Sequence, residues 1–218
     1  ILIVVAHPDD ETIGCGGTIQ YHQRNKKKVF VMSFTDGISS RNEKKNINKI
    51  SIRNNASKKA EKLLGFKWFK NYNYPDNALD TVKFLDLVKN IESAKKKINP
   101  SIVYTHYFND LNIDHQLVSK ACITAFRPEP KKNKAELRFF EIPSSTDFSF
   151  KKDFEPNLFI SVKNFWKKKE KALKAYGSEI KKKPHSRSLH GIRNLSNLRG
   201  SQSGLDCAEA FQIYRKIV

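Results

Sequence analysis

The chain has 218 residues, 39% of them hydrophobic, with only 9 glycines and 8 prolines, which excludes a disordered or fibrous protein and leaves enough length for one sizeable core. Its net charge of +19 raises nucleic acid as a partner, but the runs Lys26-Lys27-Lys28, Lys95-Lys96-Lys97, Lys167-Lys168-Lys169 and Lys181-Lys182-Lys183 are scattered and come without a recognition helix or an aromatic-interleaved basic stripe. They read as solvated faces, so no nucleic acid is expected, although a modest positive field would attract an anionic substrate.

The chain opens on an apolar run, Ile1 to Ala6, which predicts a buried strand and stops at His7-Pro8-Asp9-Asp10-Glu11 before Gly14-Cys15-Gly16-Gly17. Carboxylates at the end of a buried strand cost free energy unless something positive compensates them, and a metal cation is the simplest candidate. Pro8 keeps His7 out of helical geometry and forces a turn, so that His7 and Asp10 can face one point. A Rossmann-type phosphate loop shares this outline, but no Gly-x-Gly-x-x-Gly is in frame and three acids stand where a pyrophosphate would approach. The acids can also cap the next helix, with Glu11 the candidate for that role.

Further along, the pattern predicts a helix over Gly16–Asn25, a strand over Val29–Phe34, a helix over Asn46–Leu64, a strand over Lys67–Tyr72, a helix over Leu79–Ile98 and a strand over Ile102–Thr105. After Thr105 comes His106-Tyr107-Phe108-Asn109-Asp110-Leu111-Asn112-Ile113-Asp114-His115, then an amphipathic helix over His115–Phe126. Strands over Leu137–Ile142 and Leu158–Val162, a Lys-rich helix over Phe165–Ala175 and a helix over Ile192–Leu198 complete the pattern; Ala208–Val218 alternates too weakly to assign. Alternation of this kind predicts a single α/β domain over 1–218, with a mostly parallel sheet and helices on both faces. The loops carrying His7, Asp10 and His115 then meet at the C-terminal edge of the sheet, and two imidazoles with one carboxylate are a ligand set of catalytic zinc. His22 and His106 read as structural. Phe108, Asp110 to Asn112 and the loop Asp36 to Arg41 are the expected pocket rim. The three cysteines lack zinc-finger spacing and read as reduced core thiols, which implies a cytoplasmic location. The apolar start is too short to span a membrane and lacks a signal peptide's flanks; because it enters the first strand directly, a few residues are expected to precede Ile1.

Ala6-His7-Pro8-Asp9-Asp10-Glu11 with Asp110-Leu111-Asn112-Ile113-Asp114-His115 resembles the LmbE/PIG-L family of zinc-dependent N-deacetylases, and Phe140 to Thr146, Arg199 to Gly204 and Ala208 to Phe211 extend the similarity over almost the whole chain. The resemblance implies a Rossmann-like three-layer sandwich, Zn2+ held by His7, Asp10 and His115, and Asp9 as the general base toward water. Several family members have a His where this chain has Asn112, which can donate a hydrogen bond but cannot shuttle a proton. Protonation of the leaving amine then falls to Asp9 or to His185, for which a surface role is an equal alternative. Asp114 is implied to orient Asn112 or His115. Arg53 and Asp76 match family residues that line the substrate pocket, with a salt bridge or turn chemistry as the alternative for each. The implied reaction is hydrolysis of a linear amide, removing acetate from an N-acetylated amino sugar or conjugate, nucleotide-linked or a glycan precursor; another small amide is the nearest variant. The alternative from a different class is a metal-free nucleotide- or glycan-binding module. Self-association into a homo-oligomer stays open, as does iron or cobalt in place of zinc.

Overall fold

The computed structural model describes residues 1–38, 47–130, 134–151 and 153–218. β1 (Leu2–Val5) is buried throughout, as a continuous apolar run requires of a central parallel strand. In chain order follow α1 (Asp10–Arg24), β2 (Phe30–Thr35), α2 (Ile47–Leu64), β3 (Lys67–Tyr74), α3 (Phe84–Ile98), β4 (Ile102–His106), α4 (Ile113–Ala125), β5 (Glu136–Phe140), β6 (Leu158–Ser161), α5 (Trp166–Ala175), α6 (Leu189–Ser201) and β7 (Ala208–Arg215). The strands form one sheet in the order β3-β2-β1-β4-β5-β7-β6. β1 to β5 run parallel to one another, whereas β7 runs antiparallel between β5 and β6. The chain winds outward from β1 to β3 and then returns to place β4 on the other side of β1. The carboxyl ends of β1 and β4 therefore flank a topological switch point, where α/β sheets open a crevice.

Alternation along the strands divides the core into two layers. Ile3 and Val5 face α1, α2, α5 and α6 through Ile13, Ile19, Ala60 and Leu173. Leu2, Val4 and Ala6 face α3 and α4 through Leu87, Ile91, Val118 and Ala121. Leu87, Val88, Ile91 and Ala94 are the buried stripe of α3, which ends at Asn99 in the left-handed conformation, φ 47°. All three cysteines are free and buried. Among the described residues no helix is long and apolar enough to cross a membrane.

Several expectations need correction. α1 begins at Asp10 rather than Gly16, so the glycines belong to a helix and not to a phosphate loop. They are small for packing reasons: a Cβ on Gly14 would fall 2.5 Å from the Phe140 ring of β5, and one on Gly17 2.4 Å from Val162. Residues 79–83 hold only a short 3-10 turn before α3 starts at Phe84. The expected first residue of α2, Asn46, lies outside the described residues. The unassigned tail contains β7, whose four leading residues are buried. Lys169 is not solvated with the rest of its run but is 1% exposed.

Lys169 explains the polar residue in β7. Its Nζ donates to the Ile13 carbonyl at 2.7 Å and to Glu209 Oε1 at 2.6 Å. The Glu209 carboxylate also accepts from Gly17 N at 2.8 Å and Thr18 N at 2.7 Å. A buried ion pair thus ties α5 and β7 to the middle of α1, the helix whose first residue is Asp10, with every charged atom served by a partner.

Candidate active site at the switch point

His7 leaves β1 and His115 opens α4, on the two sides of the crevice. Pro8 and a strained Asp9, φ 146°, turn the chain into α1, and Asp10 folds back so that its Oδ2 accepts from His7 N at 2.9 Å. Asn112 is the N-cap of α4, accepting from Asp114 N at 2.8 Å and His115 N at 3.3 Å, which sets the ring of His115 toward β1.

Three ligand atoms meet there: His7 Nδ1 lies 3.1 Å from Asp10 Oδ2, His115 Nε2 lies 3.2 Å from His7 Nδ1, and His115 Nε2 lies 3.4 Å from Asp10 Oδ2. The other nitrogen of each ring faces acid. His7 Nε2 is 3.1 Å from Asp76 Oδ1 and 3.3 Å from Asp114 Oδ2, and His115 Nδ1 is 3.1 Å from Asp110 Oδ1. Those carboxylates take the N–H, so the neutral rings turn two lone pairs and the Asp10 carboxylate toward one point. Such a cluster repels itself unless a cation sits among its atoms, and the residues present fit zinc. By themselves the surrounding acids favour protons on the rings in place of that cation. Burial opposes charge on His7 and His115, yet bonding to Asp10, Asp114 and Asp76 raises His7 well above its usual value, and Asp10 with Asp110 raises His115 to about 8. Burial would also raise Asp10, but the facing His115 and His106 hold it well below the usual carboxylate range.

Asp9 stands beside this cluster. Its Oδ1 is 3.3 Å from Arg53 Nη2, while its buried Oδ2 has no hydrogen-bond partner among the described residues. Burial raises its pKa and Arg53 works against that. Arg53, 5% exposed on α2, also contacts Glu179 at 2.9 Å. Both the salt-bridge and pocket readings of Arg53 therefore describe its surroundings. Asp76 likewise serves the turn with Asn77, which has φ 50°, and also faces His7. A cavity of about 120 Å³ is lined by His7, Asp9, Arg53, Asp76, Asn112 and His115, with Gly37, Asn77, Glu179 and Arg187 completing its walls.

Asp114 meets the Asn112 side chain through its backbone N–H, while its carboxylate, among the described residues, bonds elsewhere. It bridges the Asn77 and Leu79 amides, at 2.8 and 3.0 Å, to His7. Asn112 is engaged at both ends of its amide, Oδ1 at the α4 cap and Nδ2 donating to Asn77 Oδ1 at 2.8 Å. His185 is exposed, its Nδ1 accepts from Arg187 N at 3.0 Å, and it does not line the cavity; Arg187 does. Asp110 is buried rather than at the rim, and Ser145 and Thr146 both donate to it. Burial would raise its pKa, but His115 and these hydroxyls hold it at about 2. Phe108 and Leu111 are exposed but do not line the cavity; of the expected rim, Gly37 and Asn112 do. Ser39 to Arg41 lie outside the described residues. Glu11 does serve the start of α1: from the first turn it accepts from the N–H of the N-cap residue Asp9 at 3.0 Å, as well as from Thr12 and Tyr176, and burial pushes its pKa up to about 7. His106 stacks on His115 with centroids 3.8 Å apart and accepts from Ala6 N at 2.9 Å. His22 bonds Tyr104 at 2.9 Å, far from the cluster in the fold.

Comparison with known proteins adds an independent line. The chain is 26% identical over 185 residues to a probable N-acetyl-α-D-glucosaminyl L-malate deacetylase 2 of Bacillus cereus, covering 82% of this chain and 83% of that protein. Its structure superposes on N,N'-diacetylchitobiose deacetylase of Pyrococcus horikoshii with TM-score 0.79 and 20% identity, over 97% of this chain and 82% of the other. It also superposes on the 4-carboxy-2-hydroxymuconate hydratase GalB of Pseudomonas putida with TM-score 0.76 and 21% identity, over 100% of this chain and 96% of that one. At such identities the likeness shows the fold, which carries more than one chemistry. The family model described as PIG-L, GlcNAc-PI de-N-acetylase, matches residues 2–126, the span that carries both halves of the cluster, and the chain belongs to that family.

Proposed function

We propose that the protein is a zinc-dependent deacetylase that hydrolyses the N-acetyl group of an amino sugar or sugar conjugate to acetate and a free amine. The observation that carries this reading is the convergence of His7 Nδ1, Asp10 Oδ2 and His115 Nε2 on one point at the wall of a cavity that also presents the free Oδ2 of Asp9. His7, Asp10 and His115 would hold the metal, which when bound acidifies water and polarises an amide carbonyl. Deacetylation is supported by the family and by the sugar-conjugate deacetylase named among the relatives.

The chain's own groups divide the remaining work. Asp9 lines the cavity, Arg53 holds its Oδ1, and its Oδ2, without a hydrogen-bond partner among the described residues, is left to accept the proton of the attacking water. Asn112 spends its carbonyl on the α4 cap and its amide on Asn77, and His185 stands outside the cavity. The proton taken by Asp9 therefore returns from Asp9 to the departing nitrogen, which makes one carboxylate base and then acid. A metal-free binding module gains nothing from three donor atoms aimed at one another. The test is Asp9→Asn: zinc content stays at the wild-type level while acetate release from N-acetylglucosamine conjugates falls at least a hundredfold, as expected for loss of a general acid–base. Retained turnover in this variant would contradict the assignment.

A further inference from the structure

The cavity contains two guanidiniums, and only one of them is paired. Arg53 lies deep and is shared between Asp9 and Glu179. Arg187 is half-buried; among the described residues it makes no ion pair, and its buried Nε has no hydrogen-bond partner. A desolvated donor left unmatched in a folded protein is costly, and a fixed cation on a cavity wall is poised for an anion.

The backbone presents Arg187 rigidly. Ser188, the next residue, is the N-cap of α6 and accepts from Gly191 N at 3.0 Å. Gly191 lets the helix approach the preceding turn, since a Cβ there would lie 2.3 Å from the Ser186 carbonyl. His185 braces the same turn, with its N donating to the Lys182 carbonyl at 3.1 Å and its ring accepting from Arg187 N. A side chain held on such a support loses little freedom on binding, which suits recognition.

Depth then says what part of a substrate meets it. Arg53 is 5% exposed and lies against Asp9, whereas Arg187 on the same cavity wall is only half-buried. A substrate whose acetamido group sits against His7, Asp9 and His115 has its remaining groups toward solvent, the side on which the less buried guanidinium is exposed. Resting on the deacetylase reading above, we infer that Arg187 recognises an anionic group, carboxylate or phosphate, carried on the substituent of the N-acetyl sugar. The charge of +19 on the chain adds long-range attraction for the same class.

The test compares zinc-loaded wild type, Arg187→Met and Arg187→Lys on methyl N-acetyl-α-glucosaminide, N-acetylglucosamine 1-phosphate and an N-acetylglucosaminide bearing a carboxymethyl group. Wild type is expected to prefer one or both anionic compounds in kcat/KM by roughly ten- to hundredfold, a charged hydrogen bond's worth. Arg187→Met collapses this ratio toward one, chiefly through KM of the anionic compound, and Arg187→Lys recovers part of it. Preference for the phosphate alone or the carboxylate alone identifies the anion. The inference is overturned if wild type shows no preference, or if Arg187→Met lowers all three substrates equally. If wild type releases acetate from none of them, the deacetylase reading fails separately. Calorimetric titration of wild type and Arg187→Met with N-acetylglucosamine 1-phosphate and N-acetylglucosamine then decides the role of Arg187: a phosphate-dependent gain in affinity lost in the variant supports it, and equal affinities overturn it.

Discussion

Replacing Lys169 with Met tests how α1 is held under the site. The ammonium is 1% exposed and serves both Glu209 and the Ile13 carbonyl. Met fills most of the space but leaves Glu209, 4% exposed, as a buried charge without its cation. Breaking a buried pair from one side costs about 3–5 kcal/mol. With a urea m-value of roughly 2 kcal/mol per M for a chain of this size, the midpoint should fall by about 2 M. Lys169→Met with Glu209→Gln removes the stranded charge and keeps an acceptor for one of the two amides, Gly17 N or Thr18 N, so it should regain part of the loss. Urea unfolding followed by circular dichroism measures both. A single variant within about 1 kcal/mol of wild type, or a double variant no more stable than the single, would refute the argument.

Two further outcomes follow from the site and the sheet. Asp110→Asn weakens the acceptor that holds His115 Nδ1–H, and zinc affinity measured by chelator competition should drop roughly ten- to hundredfold with the fold retained; unchanged affinity would remove Asp110 from that role. Arg138 and Tyr104 leave His22 Nε2 as an acceptor, and burial lowers its pKa to about 4. The unfolded imidazole, near 6.5, then binds a proton that the folded one does not, so the stability contribution is intact above pH 6.5 and is lost as pH falls toward 4. His22→Phe should flatten the stability profile in that window, and an unchanged slope would show that other groups set it.

The fold was readable where periodicity is clean. β1 is apolar on both faces, and the repeated strand–helix pattern led to a parallel sheet with both loops of the site on one edge. β7 was not readable, because Glu209 breaks its alternation for the sake of Lys169, a partner forty residues earlier. The glycines of α1 looked like a loop because their reason is tertiary: Phe140 and Val162 occupy the space of their missing side chains. In the site, the crowded His7-Pro8-Asp9-Asp10 run identified itself by the cost of burying acids. Asp110, Ser145 and Thr146 orient His115 only after the chain has folded, so nothing local marks them. His185 is by residue type a proton carrier, yet its ring accepts from Arg187 N and stays off the cavity wall, which Arg187 lines instead.

The measurement that bears most directly on the central claim is the metal content of the purified protein beside a His115→Ala variant, after reconstitution with zinc and removal of the excess. The account predicts about one zinc per wild-type chain, lost in the variant, because His115 Nε2 is one of the three donors that converge. Wild-type protein that retains no metal, or a variant that retains as much as wild type, would contradict it.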